Sequence, residues 1–436
     1  MQKIGKRIHD RLVRIYEAPV RKGLLGRYKQ AQAYLHVYSL RGIKSSAIRP
    51  ELDDKVEYIN KNYLGVRLWL NNRGDRIGEY LSRYIILMRF VEENNDGYLN
   101  VMFDSAYDVG NKALSNIINR NVQVINTENK PEWVYILSKV RNVDYSKYFM
   151  LDGRGADCCD KRIFTSDWCR DKLCMSDDEA QYCGKKMAEM NLREPYVCIF
   201  NRDSAFLKKM LPDVDTSYHN YRDSSIETRY QMIDYLNGKG IQSVRVGKAA
   251  LERCDYGGCI DYTFDYRNEL MDVYLHSKAK FIIGDCCGLN MIPLINNGHY
   301  VSTNTTPLFR GTFGMPVVFD GIILFKKIFD TKRNRFLTLA EMVEADEKAQ
   351  YKGQNYQALG LKHIENSSQE ILDAATEMNE RIDGTWIETD EDKWRQEKFR
   401  EFQLGVAKQY GLADGEYFHV RVGARFLEQN WDIFGL

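Results

Sequence analysis

Between Tyr196 and Pro307 the chain alternates short runs of β-branched and aromatic residues with helical stretches, and three of those runs end in polar turn formers. YVCIF (196–200) leads into Asn201-Arg202-Asp203-Ser204, SVRV (243–246) into Gly247-Lys248, and KFIIG (280–284) into Asp285-Cys286-Cys287-Gly288-Leu289-Asn290. Strands that alternate with helices of ten or more residues pair in parallel, because a parallel partner is reached only through a crossover. A parallel sheet gathers its carboxyl ends on one edge, and ligands of α/β folds bind in the crevice there. The stretch therefore predicts an α/β fold with a nucleotide or nucleotide-sugar site at these three strand ends.

A chain of 436 residues is too long for one ordinary core, so two domains with extensions are expected. The first series of βα units reads as strand GVRLWL (65–70), helix EYLSRYIILMRFVEE (79–93), strand YLNVMFD (98–104), a helix around NKALSNIINR (111–120), strand VQVI (122–125) and helix PEWVYILSKV (131–140). A cysteine- and charge-rich passage, Phe149 to Glu194, follows, with a helix at 177–191. The second series begins at Tyr196 and adds helices at 225–240, 269–279 and 288–297 and a strand at 299–303. Gly238 and Gly240 are placed to end the first of these helices, and Ser224 with Glu227 has the spacing of a capping box at its start. After Phe336 three charged stretches carry apolar residues at helical spacing. The expected organisation is a basic helical extension (1–59), an acceptor domain with its connecting segment (60–194), a nucleotide-sugar domain (195–345) and a helical region packing across both (346–436).

The hydrophobic and charged fractions, 44% and 28%, are those of a globular chain. A formal net charge of +1 argues against nucleic acid as a partner. No run of eighteen apolar residues occurs, so no transmembrane helix is expected, and the amino terminus lacks the apolar core of a secretory signal. Cytoplasmic residence is the expectation. The first fifty residues are strongly basic, with Ile4, Ile8, Leu12 and Ile15 at helical spacing. Such a helix suits an anionic membrane surface, at the inner face of the plasma membrane, or an acidic partner; packing on a neighbouring domain accounts for it equally well. All ten cysteines lie between Cys158 and Cys287 without the paired Cys-x-x-Cys spacing of structural zinc. They read as reduced thiols in and around a core.

Four places give the chain a more specific resemblance, spanning about Gly65 to Phe434: Arg76-Ile77-Gly78; Arg202-Asp203-Ser204 with Asn220-Tyr221-Arg222; the strand and loop from Phe281 to Leu289; and the terminal ARFLEQNWDIF. In their order and spacing the chain resembles a family of bacterial GT-B glycosyltransferases associated with surface-polysaccharide (lipopolysaccharide or capsule) biosynthesis. The resemblance implies two Rossmann-like domains facing a cleft, a nucleotide-sugar donor as co-substrate with no further cofactor, and a saccharide or lipid-linked acceptor. Members of that family carry histidine after the Arg-Ile-Gly tripeptide and two residues before the Arg-Asp-Ser arginine. Here Glu79 and Phe200 stand at those places, which leaves the acid–base group open and keeps two other readings alive: a catalytically silent binding or scaffold protein of the same fold, and a sugar-nucleotide epimerase.

A glycosyltransferase must hold an anionic donor, neutralise the departing phosphate and deprotonate an acceptor hydroxyl. The Asp-x-Asp of Asp213 to Asp215 follows Leu211-Pro212 and reads as a turn, so no metal is expected and the positive charge falls to side chains. Arg202, directly after a strand, is placed to fork onto phosphate oxygens, the alternative being an ion pair with Asp203 or Asp223. Arg222 is a second such residue, with Asp203, Ser204 and Asn220 beside the pair. Gly288, Leu289 and Asn290 open a helix whose N–H groups favour an anion. Asp285 is a polar reader at that strand end or the cap of the same helix, and Arg245 and Gly247 close the neighbouring strand, where base or ribose contacts are expected. On the amino-terminal side Gly74, Arg76 and Gly78 form the loop nearest the acceptor. The general base is sought among Glu79, Asp75 and Asp104; for Glu79 a plain role complementing the helix dipole competes.

Overall fold

The computed structural model describes residues 50–71, 77–104, 110–126, 128–146, 173–295, 298–308, 321–409 and 421–436. Among the expectations above, the basic helix within the first 49 residues, the loop residues Gly74, Asp75 and Arg76, and Cys158, Cys159 and Cys169 lie outside the described residues. The described residues fall into two compact units. The first holds 50–71, 87–104, 122–126 and 128–146; the second holds 77–86, 110–121 and everything from 173 onward.

The first unit is built on a parallel sheet of β1 (Gly65–Asn71), β2 (Tyr98–Asp104), β3 (Gln123–Ile125) and β4 (Val143–Asp144), in the order β3-β2-β1-β4. Val66, Leu68 and Leu70 alternate along β1 and bury one sheet face against helices Pro50–Asn62 and Lys130–Lys139, through Val56, Ile59, Trp133 and Ile136. Pro131 within the first turn of the second helix needs no N–H partner there. On β1, Arg67 is nearly buried and bonds to both Asp96 and Asp144, each at 2.6 Å. Strand β4, two residues long, carries no alternation that a sequence pattern registers.

The second unit is built on a seven-stranded parallel sheet of β5 (Tyr196–Phe200), β6 (Gln242–Arg245), β7 (Cys259–Asp261), β8 (Phe281–Asp285), β9 (Tyr300–Thr305), β10 (Ile322–Phe325) and β14 (Arg421–Val422), in the order β14-β10-β9-β8-β5-β6-β7. Counted from β5, its first six strands follow the doubly wound order 3-2-1-4-5-6. Both faces are covered, as a parallel sheet requires. Val197, Ile199 and Ile283 face a core completed by Met232, Leu236, Ile371, Met378, Phe399, Phe426 and Phe434. Their neighbours Tyr196, Cys198 and Ile282 face Cys183, Met187, Met271 and Leu275. The helical carboxy-terminal region therefore packs on this sheet, and the terminal motif is helix Ala424–Phe434, with Phe426, Leu427 and Phe434 buried in its core.

Helix Tyr230–Gly238 ends as its glycines suggest: Gly240 has φ +74° and the Ile241 N–H returns to the Leu236 carbonyl at 2.9 Å. The capping box does not form at Ser224. Ser225 supplies the cap, accepting from the Glu227 N–H at 3.2 Å, because Ser224 is turned inward onto Asp285. A small antiparallel sheet of β11 (Lys327–Asp330), β12 (Arg335–Phe336) and β13 (Leu361–Ile364), in the order β12-β11-β13, follows β10. No described helix is long and apolar enough to cross a membrane.

Candidate functional site

In the second sheet the strand order reverses at β5, which has β6 on one side and β8 on the other. The carboxyl ends of β5 and β8 are thus the topological switch point, where α/β folds form ligand crevices. Two of the three strand ends singled out in the sequence, Asn201–Ser204 and Asp285–Asn290, lie side by side there.

Asp285 organises this edge. Its carboxylate is 1% exposed and accepts from the Arg202 backbone N–H (2.7 Å), Ser224 Oγ (2.5 Å), Thr303 Oγ1 (2.9 Å), Asn304 Nδ2 (2.9 Å) and Arg229 Nη2 (2.7 Å). Burial alone raises a carboxylate pKa, yet Asp285 is held below its ordinary value by Arg229 and these donors. Arg229, fully buried, also donates to the Ser225 carbonyl at 2.7 Å and to Thr228 Oγ1 at 2.6 Å. Asp285 is therefore neither a polar reader facing a ligand nor the cap of the following helix. That helix is a 3-10 turn, Gly288–Asn290, running into the five residues Met291–Ile295. Backbone packs close beside it: a Cβ on Gly78 would lie 2.5 Å from the Gly288 Cα. Asn290 also turns inward, to the Asp285 carbonyl at 3.3 Å and the Tyr300 hydroxyl. The expected anion site at this helix start is thus corrected.

Arg202 and Arg222 both stand at this edge. The Arg202 side chain, 13% exposed, donates to the His219 carbonyl at 3.3 Å and pairs with Asp223, one of the two partners named as the alternative to phosphate. Arg222, half-buried, donates to the Cys286 carbonyl at 3.3 Å. The two guanidiniums are within electrostatic reach: burial first, then Arg222, lowers the Arg202 pKa against the pull of Asp223 and Asp285. Burial pushes Asp223 up to about 6 in spite of Arg202 and Lys326. Lys326, at the end of β10, is 3% exposed and donates to the carbonyls of Tyr221 (3.1 Å) and Asp223 (2.5 Å). The Ser217–Arg222 turn that carries Arg222 is thus held by two cationic side chains.

The other candidates divide. Asp203 ties loops, accepting from the Ala205 and Leu251 N–H groups at 2.9 and 2.8 Å. Ser204 is buried and makes no side-chain cap, Asn220 is exposed, and Leu289 is half-buried. Arg245, the last residue of β6, is 2% exposed, and its guanidinium is taken up by Asp261 at the end of β7 (3.4 Å) and Asn201 just past β5 (3.3 Å). Gly247 follows with φ +152°, and a Cβ at that position would touch the Phe200 ring at 3.5 Å. Glu79 is 42% exposed at its side chain and accepts from Arg83 one helical turn on, at 3.3 Å. In the first unit Asp104 ends β2, 2% exposed and in register with Asn71 on β1. Among the described residues no group of three or more His, Cys, Asp or Glu is arranged to share a metal ion.

Sequence reading missed Arg229, Lys326 and Asn304. Only the polar run Ser302-Thr303-Asn304-Thr305-Thr306 at the end of β9 offered a local signal, since a fully buried strand end rich in hydroxyls and amides needs a shared polar partner.

No protein-family model matches this chain, nor does any curated protein. Solved structures with a similar chain arrangement include the glycosyl transferase family 9 from Veillonella parvula DSM 2008, with a TM-score of 0.43 and 12% identity over 72% of this chain and 96% of that one. E. coli ADP-heptose lps heptosyltransferase II aligns with a TM-score of 0.37 and 12% identity, over 59% and 90%. E. coli heptosyltransferase WaaC with ADP aligns at 0.31 and 8% identity, over 67% and 100%. Values this low leave the functional argument to the site itself.

Proposed function

We propose that the chain is a glycosyltransferase that takes a sugar from a nucleotide-sugar donor and passes it to a saccharide or lipid-linked acceptor in bacterial surface-polysaccharide synthesis. The observation that carries this reading is the pair Arg202 and Arg222 at the switch point, set on a frame that Asp285 and Arg229 hold rigid. Around it the cationic side chains Arg202, Arg222, Arg229 and Lys326 stand among the carboxylates Asp203, Asp223, Asp285 and Glu365. Arginine forks match diphosphate oxygens. When the glycosyl bond breaks, negative charge grows on the leaving diphosphate, and donors already fixed in place stabilise it without reorganising. Arginine charge stands in for a metal in this proposal, and Glu79, Asp75 and Asp104 stay the candidates for the base that takes the acceptor proton. Docking of the basic first 59 residues on an anionic membrane belongs to the same reading, and co-sedimentation with anionic but not neutral vesicles tests it.

The experiment is a thermal-shift screen of uridine, guanosine, adenosine and cytidine diphosphates and their sugars. A rise in melting temperature that Arg202→Ala and Arg222→Ala each abolish is expected, and no shift with any nucleotide overturns the proposal. Donor turnover that persists in a chelator supports the metal-free form, and its loss overturns that form. One observation favours a silent binding protein instead: Arg202 already has Asp223 and the His219 carbonyl as partners. Donor hydrolysis by the purified protein excludes that reading.

A further inference from the structure

The antiparallel sheet β12-β11-β13 and helices Leu339–Lys348 and Gly353–Leu359 extend the second unit beyond its doubly wound core. Strand β13, helix Gly353–Leu359 and the Ser217–Arg222 turn line an open-sided cavity of about 690 Å³, within the roughly 300–1,000 Å³ of small-molecule sites. The helix and the turn meet closely: a Cβ on Gly353 would lie 3.0 Å from the Tyr218 carbonyl oxygen. One wall is aromatic, with Tyr221 ring centroids 5.1 Å from Tyr356 and 4.9 Å from His363.

The charges of the lining are balanced and largely engaged. Lys326 caps two carbonyls, Asp223 pairs with Arg202, and Glu365 accepts from the Ser225 N–H at 3.1 Å. Lys362 is exposed. His363 is held neutral, because burial and Lys326 lower it to about 3. What the lining offers is amides: the side chains of Asn220, Gln354 and Gln357 make no hydrogen bond among the described residues. An amide both donates and accepts, as a sugar hydroxyl does, and the part-exposed Tyr221 ring, backed by buried Tyr356, is placed to cover the apolar face of a ring. An anion is better served by the arginine pair at the switch point.

We infer that this cavity binds a neutral, hydroxyl-rich ligand, a saccharide unit, next to the anion-binding arginines. The choice of a saccharide rests on the transferase reading, so the test separates the two. Saturation-transfer NMR on the full chain uses glucose, N-acetylglucosamine and lactose as probes, with glucuronate as the anionic counterpart, each with and without a nucleoside diphosphate. Transfer to at least one neutral sugar is expected, weakened about tenfold in Gln354→Ala/Gln357→Ala by loss of two hydrogen bonds. Both positions are exposed, so the melting temperature and the nucleotide shift are expected to stay at the parent values; Gln357→Glu, which keeps the side chain's size but removes its donor, serves as a second variant. Absence of transfer to every neutral sugar, full-strength transfer in both variants, or tighter binding of glucuronate overturns the inference. A missing nucleotide shift with sugar transfer intact overturns the donor reading and leaves this one standing.

Discussion

Asp285 and Asp223 sit in one site and burial acts on both, yet their pKa values move in opposite directions. Asp285 is the more buried, and five donors, Arg229 among them, hold it ionised. Asp223, 24% exposed at its side chain, has Arg202 as its ion-pair partner, and burial lifts it to about 6. The difference teaches that the number of donors, more than the depth of burial, decides whether a carboxylate stays charged. It also divides the site into a closed frame around Asp285 and a less enclosed edge of Asp223, Arg202 and Arg222.

The largest expected effect tests the frame. Arg229→Met leaves the Asp285 carboxylate buried without its counter-charge, and a loss of about 3–5 kcal/mol in denaturant stability is expected. A loss under about 1 kcal/mol, the scale of an exposed pair, would break the distinction between frame and edge. Gly78→Ala is expected to cost about 1–3 kcal/mol by the same measurement, because its Cβ meets the Gly288 backbone and neither segment can yield as a flexible side chain would. At the edge, Arg222→Ala is expected to weaken nucleoside diphosphate binding by about tenfold or more, from lost charge-assisted bonds, with the melting temperature of the free protein little changed; calorimetric titration reads both sides of that contrast.

The smallest effect is in pH. Asp223 has a folded value above its unfolded one, so its contribution to stability is complete below the unfolded value and is lost as pH rises through about 6. Asp285 has the reverse sign: its contribution is present above the unfolded value and is lost as pH falls through its depressed folded one. Urea midpoints of Asp223→Asn are expected to lack the decline between roughly pH 4 and 6 that the parent shows. A decline that survives the substitution would assign it to another group.

Long runs with a clear period were legible in the sequence. YVCIF and KFIIG read as strands because a parallel strand buried on both faces is a continuous β-branched and aromatic run, and β5 and β8 are the result. Strands β4 and β14, two residues each, and β7, three residues, carry no period to read. Of the candidate site, the placement of Arg202 and Arg222 at the strand edge was legible because they follow a strand or sit in its loop. Arg245 was read by the same rule, but nearness to a strand end does not say whether a side chain stands open or is taken up by neighbours, here Asp261 and Asn201. Arg229 was invisible: nothing near it in sequence announces a partner 56 residues away.

The sequence by itself determined the class of fold, the strands that form the switch point and the polar residues gathered at their ends, because periodicity and turn chemistry act over a few neighbouring positions. Only the tertiary structure decided which of those polar groups are walls and which face outward. That choice depends on hydrogen-bond partners brought from distant strands, Thr303, Asn304 and Arg229 to Asp285, and on backbone contact between Gly78 and Gly288. Such pairings are settled when the sheet assembles, and the energy of satisfying a buried charge has no counterpart in local sequence.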